Sequence, residues 1–226
     1  MKKRFLWLWI VIGVCFACGA MALVECVISP NYVVKSSIKL FLFLGIPLAC
    51  YFGNRKEFSP SLFLKIGRRG LLWSGMLGLI VYGIILGAFF LLRPYFDFSR
   101  VIAALEQNEG FNKVTFLVAA IYIAFFNSFL EEFFFRGFAF LFLRKSAGRT
   151  FAYLFSSLIF AGYHVAIIAS WFTLDLFLLL MAGLWIAGLL FDWLDEKWGN
   201  IYCSWAVHLC ANLAINTIGL ILFGIL

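Results

Sequence analysis

Long apolar runs dominate the chain, and each run ends at charged residues or at residues typical of turns. Seven of the runs approach or exceed the ~20 residues that a helix needs to cross a hydrocarbon layer of about 30 Å. The fourth run is unusually long and predicts a helix that tilts, protrudes or breaks near Glu131. The sequence therefore predicts an all-α polytopic bundle of about seven to eight transmembrane helices, with candidate spans at 5–28, 36–52, 71–92, 114–143, 151–172, 174–194 and 201–226.

Composition agrees with a membrane protein. Hydrophobic residues make up 65% of the chain and charged residues 13%, about half the charged fraction of an ordinary soluble domain. We expect one integral membrane domain over 1–226, with N-terminal spans and an amphipathic outer segment in 1–113 and catalytic core spans in 114–226. The first run follows Lys2, Lys3 and Arg4, which also fits a signal peptide; we expect a retained anchor.

The distribution of basic residues predicts the orientation. With a cytoplasmic N-terminus, twelve of the 18 Lys and Arg fall in inner segments and five in outer segments, among them Lys35 and Lys39. Arg136 alone then remains in the membrane. This bias obeys the positive-inside rule, so we expect a multi-pass protein of the cell membrane. The net charge of +7 thus serves topology, and no nucleic-acid partner is expected.

Two local patterns outside the polar core predict structure. The segment 93–112 carries apolar residues at helical spacing, with Ser99 as a candidate N-cap and Gly110 as a stop signal. It predicts a short amphipathic helix on the outer surface. In the third span, Gly83 and Gly87 form a G-x-x-x-G pattern, which is common where membrane helices pack closely.

A few polar and ionisable residues lie inside the predicted spans. A charge at the bilayer centre costs ~3 kcal/mol on insertion scales, so such residues are functional candidates. Both histidines of the chain are among them. At a rise of about 1.5 Å per residue, two of these groups lie roughly 20 Å and a third about 13 Å from the inner ends of their helices. One layer can hold all six: Glu131, Glu132, Arg136, His164, His208 and Asn212.

Spacing on the helices suggests a role for each of these groups. Glu132 can meet the guanidinium of Arg136 four residues later. Glu131 points about 100° around the helix from Glu132 and can face a cavity, where it suits a general base acting on water. His208 and Asn212 are also four residues apart, so both can aim N–H donors at one point, as an oxyanion hole requires.

Structural interpretations of the same residues stay open. Glu132 with Arg136 can be an ion pair that locks two helices, and a single intramembrane histidine can be a packing residue. Asn212 can be a hydrogen-bonding contact between helices. At the end of the sixth span we expect a charged rim at the inner surface with no special role, formed by Asp192, Asp195, Glu196 and Lys197.

Three motifs occur in order on successive apolar runs: E-E-x-x-x-R at 131–136, F-x-x-x-H at 160–164 and H-x-x-x-N at 208–212. This order resembles the CPBP family of intramembrane proteases, also called the CAAX protease and bacteriocin-processing, or Abi, family. The resemblance runs from about residue 114 to the C-terminus and implies hydrolysis of a peptide bond within the membrane. It implies three roles: Glu131 with His164 activates a water, Glu132 with Arg136 supports them, and His208 with Asn212 stabilises the oxyanion.

The resemblance also implies partners. Eukaryotic-type members cut the last three residues from prenylated CAAX proteins, and bacterial relatives are linked to peptide maturation, bacteriocin immunity or C-terminal sorting. We therefore expect a membrane-associated protein or peptide substrate, lipidated ones included. No H-E-x-x-H pattern occurs, so we favour a glutamate-type endopeptidase without a cofactor. A metalloprotease with zinc held by Glu131, His164 and His208 is the alternative.

Two other classes of protein compete with a protease. Buried acids, arginine and histidines also build proton relays, so a proton- or ion-coupled carrier is one rival. Carriers usually show internal repeats and broken helices in both halves, whereas here the candidate residues all lie in the second half. The other rival is a non-catalytic scaffold that binds a membrane protein through its aromatic surface.

Overall fold

The computed structural model describes residues 6–53 and 63–226, and within them it contains helices and no strand. The all-α prediction is thus confirmed. Seven helices of the described residues are long and apolar enough to cross a membrane, and their ends differ from the predicted ones by four residues or fewer. They are α1 (Leu6–Ile28), α2 (Tyr32–Gly53), α3 (Arg68–Leu92), α5 (Lys113–Ala147), α6 (Arg149–Ile168), α7 (Leu174–Trp198) and α8 (Tyr202–Leu222). The short α4 (Ser99–Ala103) lies between α3 and α5.

Helix α5 forms the centre of the bundle. It has 35 residues and does not break near Glu131, so the last of the three expected alternatives is not found. It changes instead from α-helical to π-helical geometry at Ile123–Asn127 and again at Glu132–Leu141. All ten residues of the second stretch are buried, against α1, α2, α6 and α7. A helix covered on every side tolerates apolar residues all around, and α5 is accordingly rich in phenylalanine.

Aromatic side chains fill the space around α5. Phe134 stacks on Phe43 of α2 with ring centroids 4.1 Å apart and an interplanar angle of 12°. Phe135 meets the edge of Phe160 of α6 at 5.4 Å. Aromatic pairs in offset-stacked and edge-to-face geometry add about 1 kcal/mol each to the burial of their surface. These contacts fix the position of α5 between α2 and α6, and with it the charged residues next to the rings.

The close approach of α3 to α8 depends on small residues. Gly70, Ser74 and Gly78 recur every four residues on α3 and are buried. A Cβ atom on Gly78 would lie 2.7 Å from Sγ of Cys210 and 3.1 Å from the carbonyl oxygen of Ala206. Such small-residue spacing lets two membrane helices pack closely.

Gly83 and Gly87 do not take part in this close contact of α3. A Cβ atom on Gly83 or Gly87 would meet no atom within 4 Å, so neither glycine is required for contact with another helix of the described chain. The close-packed face of α3 begins at its first turn and includes a serine, which a pattern of glycines alone does not identify.

The outer segment forms the predicted amphipathic helix. Helix α4 continues as a π-helical turn, Ala104–Asn108, and buries Val101 and Leu105 against a cluster that includes Phe116 of α5. Gly110 has a φ of 71° and follows this turn as expected. Ser99 is not the N-cap.

The start of α4 is instead bound by Asp97. Its Oδ1 accepts a hydrogen bond from the backbone N–H of Ser99 at 2.8 Å, and its Oδ2 accepts one from the Ser99 hydroxyl at 2.9 Å. Both hydrogen bonds favour the carboxylate and lower the pKa of Asp97 below its ordinary value. Asp97, two residues before Ser99, thus binds the first N–H of α4, a role that the sequence analysis gave to the side chain of Ser99.

The packing of α3 on α8 gives a first prediction. Gly78→Leu should destabilise the protein by about 1–3 kcal/mol, because the added side chain overpacks the contact with Cys210 and Ala206. Gly83→Leu, the same change on an open part of the same helix, should leave stability nearly unchanged. The midpoints of thermal unfolding in detergent, followed by tryptophan fluorescence, compare the two variants. Equal losses would contradict the assigned contact face.

Candidate active site

The two glutamates of α5 and His208 of α8 form one buried cluster. Glu131 is 2% exposed and Glu132 is fully buried. Nδ1 of His208 lies 2.8 Å from Oε1 of Glu132, and Nε2 of His208 lies 3.6 Å from Oε2 of Glu131. The predicted common layer is therefore found for these three residues, which come from α5 and α8 and are 76 and 77 positions apart in sequence.

Arg136 extends this cluster on its other side. Its Nε lies 3.4 Å from Oε2 of Glu132 and 3.7 Å from Oδ1 of Asp192. The guanidinium carbon lies 4.0 Å from the ring centroid of Phe160, a cation–π distance. Arg136 thus forms the predicted ion pair with Glu132, and it also pairs with Asp192 of α7. Ser156 donates a hydrogen bond to Oδ1 of Asp192 at 2.9 Å and holds that carboxylate in place.

The expected charged rim on α7 was half wrong. Asp192 and Asp195 are fully buried, because their face of α7 turns towards α5 and α8. Asp195 accepts hydrogen bonds from the backbone N–H and the hydroxyl of Ser204, at 3.1 and 2.8 Å. Glu196, by contrast, lies at the surface and pairs with Arg149 at 2.8 Å. Each acid of α7 thus lies in the interior or at the rim according to the face of the helix that carries it.

Lys39 of α2 is a member of the site that the sequence interpretation missed. Its ammonium contacts Oε1 of Glu131 directly and lies 2.6 Å from Oδ1 of Asn127, whose own amide donates to the same Glu131 oxygen at 3.1 Å. The ammonium also lies 5.0 Å from the ring centroid of Tyr163. Lys39 was assigned to an outer segment, but its side chain is buried, so Arg136 is not the only basic residue in the membrane.

Lys35 lies one helical turn before Lys39 and was likewise assigned to the outside. Its ammonium lies 2.8 Å from Oε2 of Glu25 on α1 and 2.9 Å from Oε1 of Glu109, which follows α4. The three side chains are nearly buried. A spacing of four on α2 places both lysines on its inner face, and that spacing was the available signal for them. The triad ties α1, α2 and the outer segment together.

His164 lies beside the cluster and is oriented by its own helix. Its Nδ1 lies 2.8 Å from the carbonyl oxygen of Phe160. A carbonyl can only accept, so Nδ1 carries a proton, and Nε2 of the neutral ring keeps its lone pair. The ring of Phe160 contacts both histidines, with centroids 4.8 Å from His164 and 5.9 Å from His208. Nε2 of His164 can therefore accept a proton or a hydrogen bond from a water.

Asn212 does not join His208 in the expected way. Its amide donates to the carbonyl oxygen of Ile123 on α5 at 3.3 Å. One turn later, Asn216 donates to the carbonyl of Ala120 at 2.8 Å. Asn212 therefore connects α8 to α5, and the two predicted oxyanion donors share no partner in this structure. The second amide N–H of Asn212 is the one that a substrate could use.

The alternative zinc site would use Glu131, His164 and His208. Among the described residues, no group of three or more His, Cys, Asp or Glu is positioned to hold a metal ion, and this includes Glu131, His164 and His208. Lys39 supplies the physical reason. Its ammonium already lies on the Glu131 carboxylate, and a divalent cation at the same oxygen would repel it. This contact disfavours a cation at Oε1 of Glu131, and zinc at these residues stays the alternative.

The buried ion pair of α5 and α7 gives a second prediction. Asp192→Asn should lower the free energy of unfolding by about 3 kcal/mol, because Arg136 loses one of its two buried anions. Glu196→Gln is the matched control, since the pair with Arg149 is exposed to solvent and should contribute less than ~1 kcal/mol. Thermal unfolding of both variants in detergent tests this. A loss as large in the control would show that Asp192 has no special role.

Comparison with known proteins agrees with the position of the site. Residues 113–214 match the family model described as Type II CAAX prenyl endopeptidase Rce1-like, and the match begins at the first residue of α5. All six residues predicted for the site lie within it. No curated protein and no solved structure matches the chain. The resemblance of the three motifs is thus confirmed, and residues 113–214 of this multi-pass membrane protein are similar to the Rce1-like family.

Proposed function

We propose that the protein is an intramembrane endopeptidase that hydrolyses a peptide bond with a water activated by Glu131 and His164. The observation that carries the proposal is the buried cluster of Glu131, Glu132 and His208 within the segment that matches the family. A carboxylate and an imidazole held together in an apolar surrounding are groups that general acid–base hydrolysis uses.

In this proposal the two oxygens of Glu131 have different tasks. Oε1 is occupied by Lys39 and Asn127, which balance its charge and fix its orientation. Oε2 faces Nε2 of His208 at 3.6 Å and is the oxygen that accepts a proton from water. Nε2 of His164 accepts the second hydrogen bond of that water, because Nδ1 of His164 is held by Phe160.

The proposed reaction proceeds through a tetrahedral intermediate. The water oxygen forms a bond to the scissile carbonyl carbon as its proton passes to Glu131, and the carbonyl electrons move to the oxygen. The C–N bond then breaks, and Glu131 returns the proton to the leaving nitrogen. The products are a carboxylic acid and an amine.

His208 stabilises the oxyanion in this proposal. Its Nδ1 donates to Glu132, so donation from Nε2 requires the doubly protonated imidazolium. The carboxylates of Glu131 and Glu132 balance that charge. The free N–H of Asn212 is the second donor, and Arg136 with Asp192 keeps Glu132 in position. This arrangement uses preorganised donors in a buried site of low polarity.

We take the reaction to need no tightly bound metal, since Lys39 already places a positive charge on one oxygen of the Glu131 carboxylate. The substrate is a membrane-associated protein or peptide, and the family description makes a prenylated C-terminus the first candidate. The protein is placed in the cell membrane with its N-terminus in the cytoplasm. That orientation rests on the distribution of Lys and Arg.

A third prediction tests the activity itself. Glu131→Gln should abolish cleavage, because an amide cannot accept the proton of the attacking water. Mass spectrometry of membrane-protein and small-peptide termini, in cells that express the wild type or the variant, provides the measurement. New termini should occur with the wild type alone.

Its control is Glu106→Gln, the same change on an exposed residue of the outer segment, which should cleave as the wild type does. Folding of each variant is checked by its thermal midpoint. Identical termini with folded wild type and Glu131→Gln would overturn the protease and favour a carrier or a scaffold. The purified enzyme is also treated with a chelator, and restoration of its activity by zinc alone would contradict the metal-free assignment.

A fourth prediction concerns the residue that α2 contributes. Lys39→Met should lower kcat by up to about 100-fold, because Glu131 loses the contact that orients it, and KM should change much less. Lys39→Arg keeps the charge and should recover part of kcat. Lys145→Met, at an exposed position, is the control. A change in KM alone, or no rescue by arginine, would assign Lys39 to substrate binding or to structure.

A further inference from the structure

A cavity lies away from the candidate active site and shares no residue with it. Its volume is about 440 Å³, and residues of α3 and α7 line it. Three of the eight tryptophans of the chain are among them. The residues that carry the argument are Arg69, Trp73 and Ile80 on α3, with Trp193, Lys197 and Trp198 on α7. We call this cavity the tryptophan groove.

The groove exists because α3 and α7 both pack against α8 and meet closely at one end only. That end is at Gly70, where a Cβ atom would lie 2.8 Å from Cδ2 of Trp198. The missing side chain lets Trp198 lie against α3 and close the end of the groove. Further along α3, Trp73 and Ile80 remain more than half exposed, so the rest of the groove is open to the side.

Both charged residues that line the groove are cationic. Arg69 is the second residue of α3 and Lys197 is the second-last of α7, so the two cations lie at the same surface of the bundle. The ammonium of Lys197 lies 4.6 Å from the ring centroid of Trp193. Within the described part of the chain, neither cation forms an ion pair.

The acids near these cations are already engaged elsewhere. Glu196 lies beside Lys197 in sequence but pairs with Arg149 and with Arg144, at 2.8 and 3.0 Å. Asp195 is bound by Ser204 in the interior. As far as the described residues show, the mouth of the groove therefore carries two positive charges without an acidic partner, above an apolar and aromatic wall.

The dimensions of the groove match one leaflet of a bilayer. Eleven residues separate Arg69 from Ile80, which is roughly 16 Å at the rise of an α-helix. Half of a hydrocarbon layer of about 30 Å is nearly the same length. Tryptophans next to basic residues are also typical of the membrane interface. The cations thus lie at headgroup level, and the apolar wall lies at the depth of an acyl chain.

We propose that the tryptophan groove is a binding site for one anionic phospholipid. Arg69 and Lys197 bind the phosphate of the headgroup, and an acyl chain lies along Trp73 and Ile80. A zwitterionic lipid fits the same apolar wall, but it carries no net charge for the two cations. Selectivity for the anionic headgroup is therefore the distinguishing property of the site.

Brominated lipids test the proposal, because bromine on an acyl chain quenches tryptophan fluorescence on contact. The full-length protein is reconstituted in two sets of vesicles of equal phosphatidylglycerol and phosphatidylcholine content. In one set only the phosphatidylglycerol is brominated, and in the other only the phosphatidylcholine. Surface charge is then identical, and quenching reports which lipid touches the tryptophans. Brominated phosphatidylglycerol should quench the wild type more strongly.

Paired variants assign the effect to the groove. The double variant Arg69→Gln with Lys197→Gln should lower the preference for phosphatidylglycerol by on the order of tenfold, because it removes two cations that attract the anionic headgroup. Lys65→Gln with Arg68→Gln removes the same charge from exposed positions outside the groove and should preserve the preference. Trp73→Phe should remove part of the excess quenching. Equal quenching by both lipids, or equal loss in both charge pairs, would overturn the proposal.

Discussion

Ionised side chains in the interior of a membrane protein need partners within the protein, and this constraint governs the arrangement of the bundle. Helix α5 carries two acids and an arginine through its most buried stretch. No water of the bilayer core is available to solvate them. Each is therefore met by a group from another helix: Lys39 on α2, Phe160 on α6, Asp192 on α7 and His208 on α8.

These contacts give the bundle a register that apolar packing alone does not specify. Aromatic rings on α5 can pack on α2 or α6 in several ways, because the hydrophobic surface is continuous. A carboxylate on one helix that must meet an ammonium on another allows far fewer relative positions of the two helices. The other positions would leave a charge buried without a partner. The stacked pair of Phe43 and Phe134 and the contact of Lys39 with Glu131 join the same two helices. Packing holds α2 against α5, and the ion pair fixes its axial position.

The sequence was most informative where a single helix carries the whole signal. Run lengths predicted all seven spans, and the spacing of four predicted the pair of Glu132 with Arg136. It was least informative for residues near the ends of runs. Lys39 and Asp192 lie close to other charged residues in sequence, so the sequence analysis assigned them to the surface. Only the face of the helix that carries them distinguishes an inward side chain from an exposed one.

Two further differences come from contacts that no spacing specifies. Asn212 is four residues from His208, as an oxyanion pair would be, but its side-chain rotamer directs the amide to a carbonyl of α5. On α3, the close-packed positions were found at Gly70, Ser74 and Gly78 because α8 approaches there. The sequence showed which residues could make each contact, and the neighbouring helix determined which of them did.

Burying the charged cluster costs desolvation free energy, and this cost indicates that the cluster serves more than stability. Replacing a buried ion pair by apolar residues of similar volume is often neutral or stabilising, so a bundle that only had to be stable would not need Glu131 with Lys39. Asn216 with Ala120 shows that this protein also connects α8 to α5 by a neutral hydrogen bond. A costly charged cluster beside an inexpensive connection of the same two helices fits the proposed reaction, because carboxylates and imidazoles can accept and release protons.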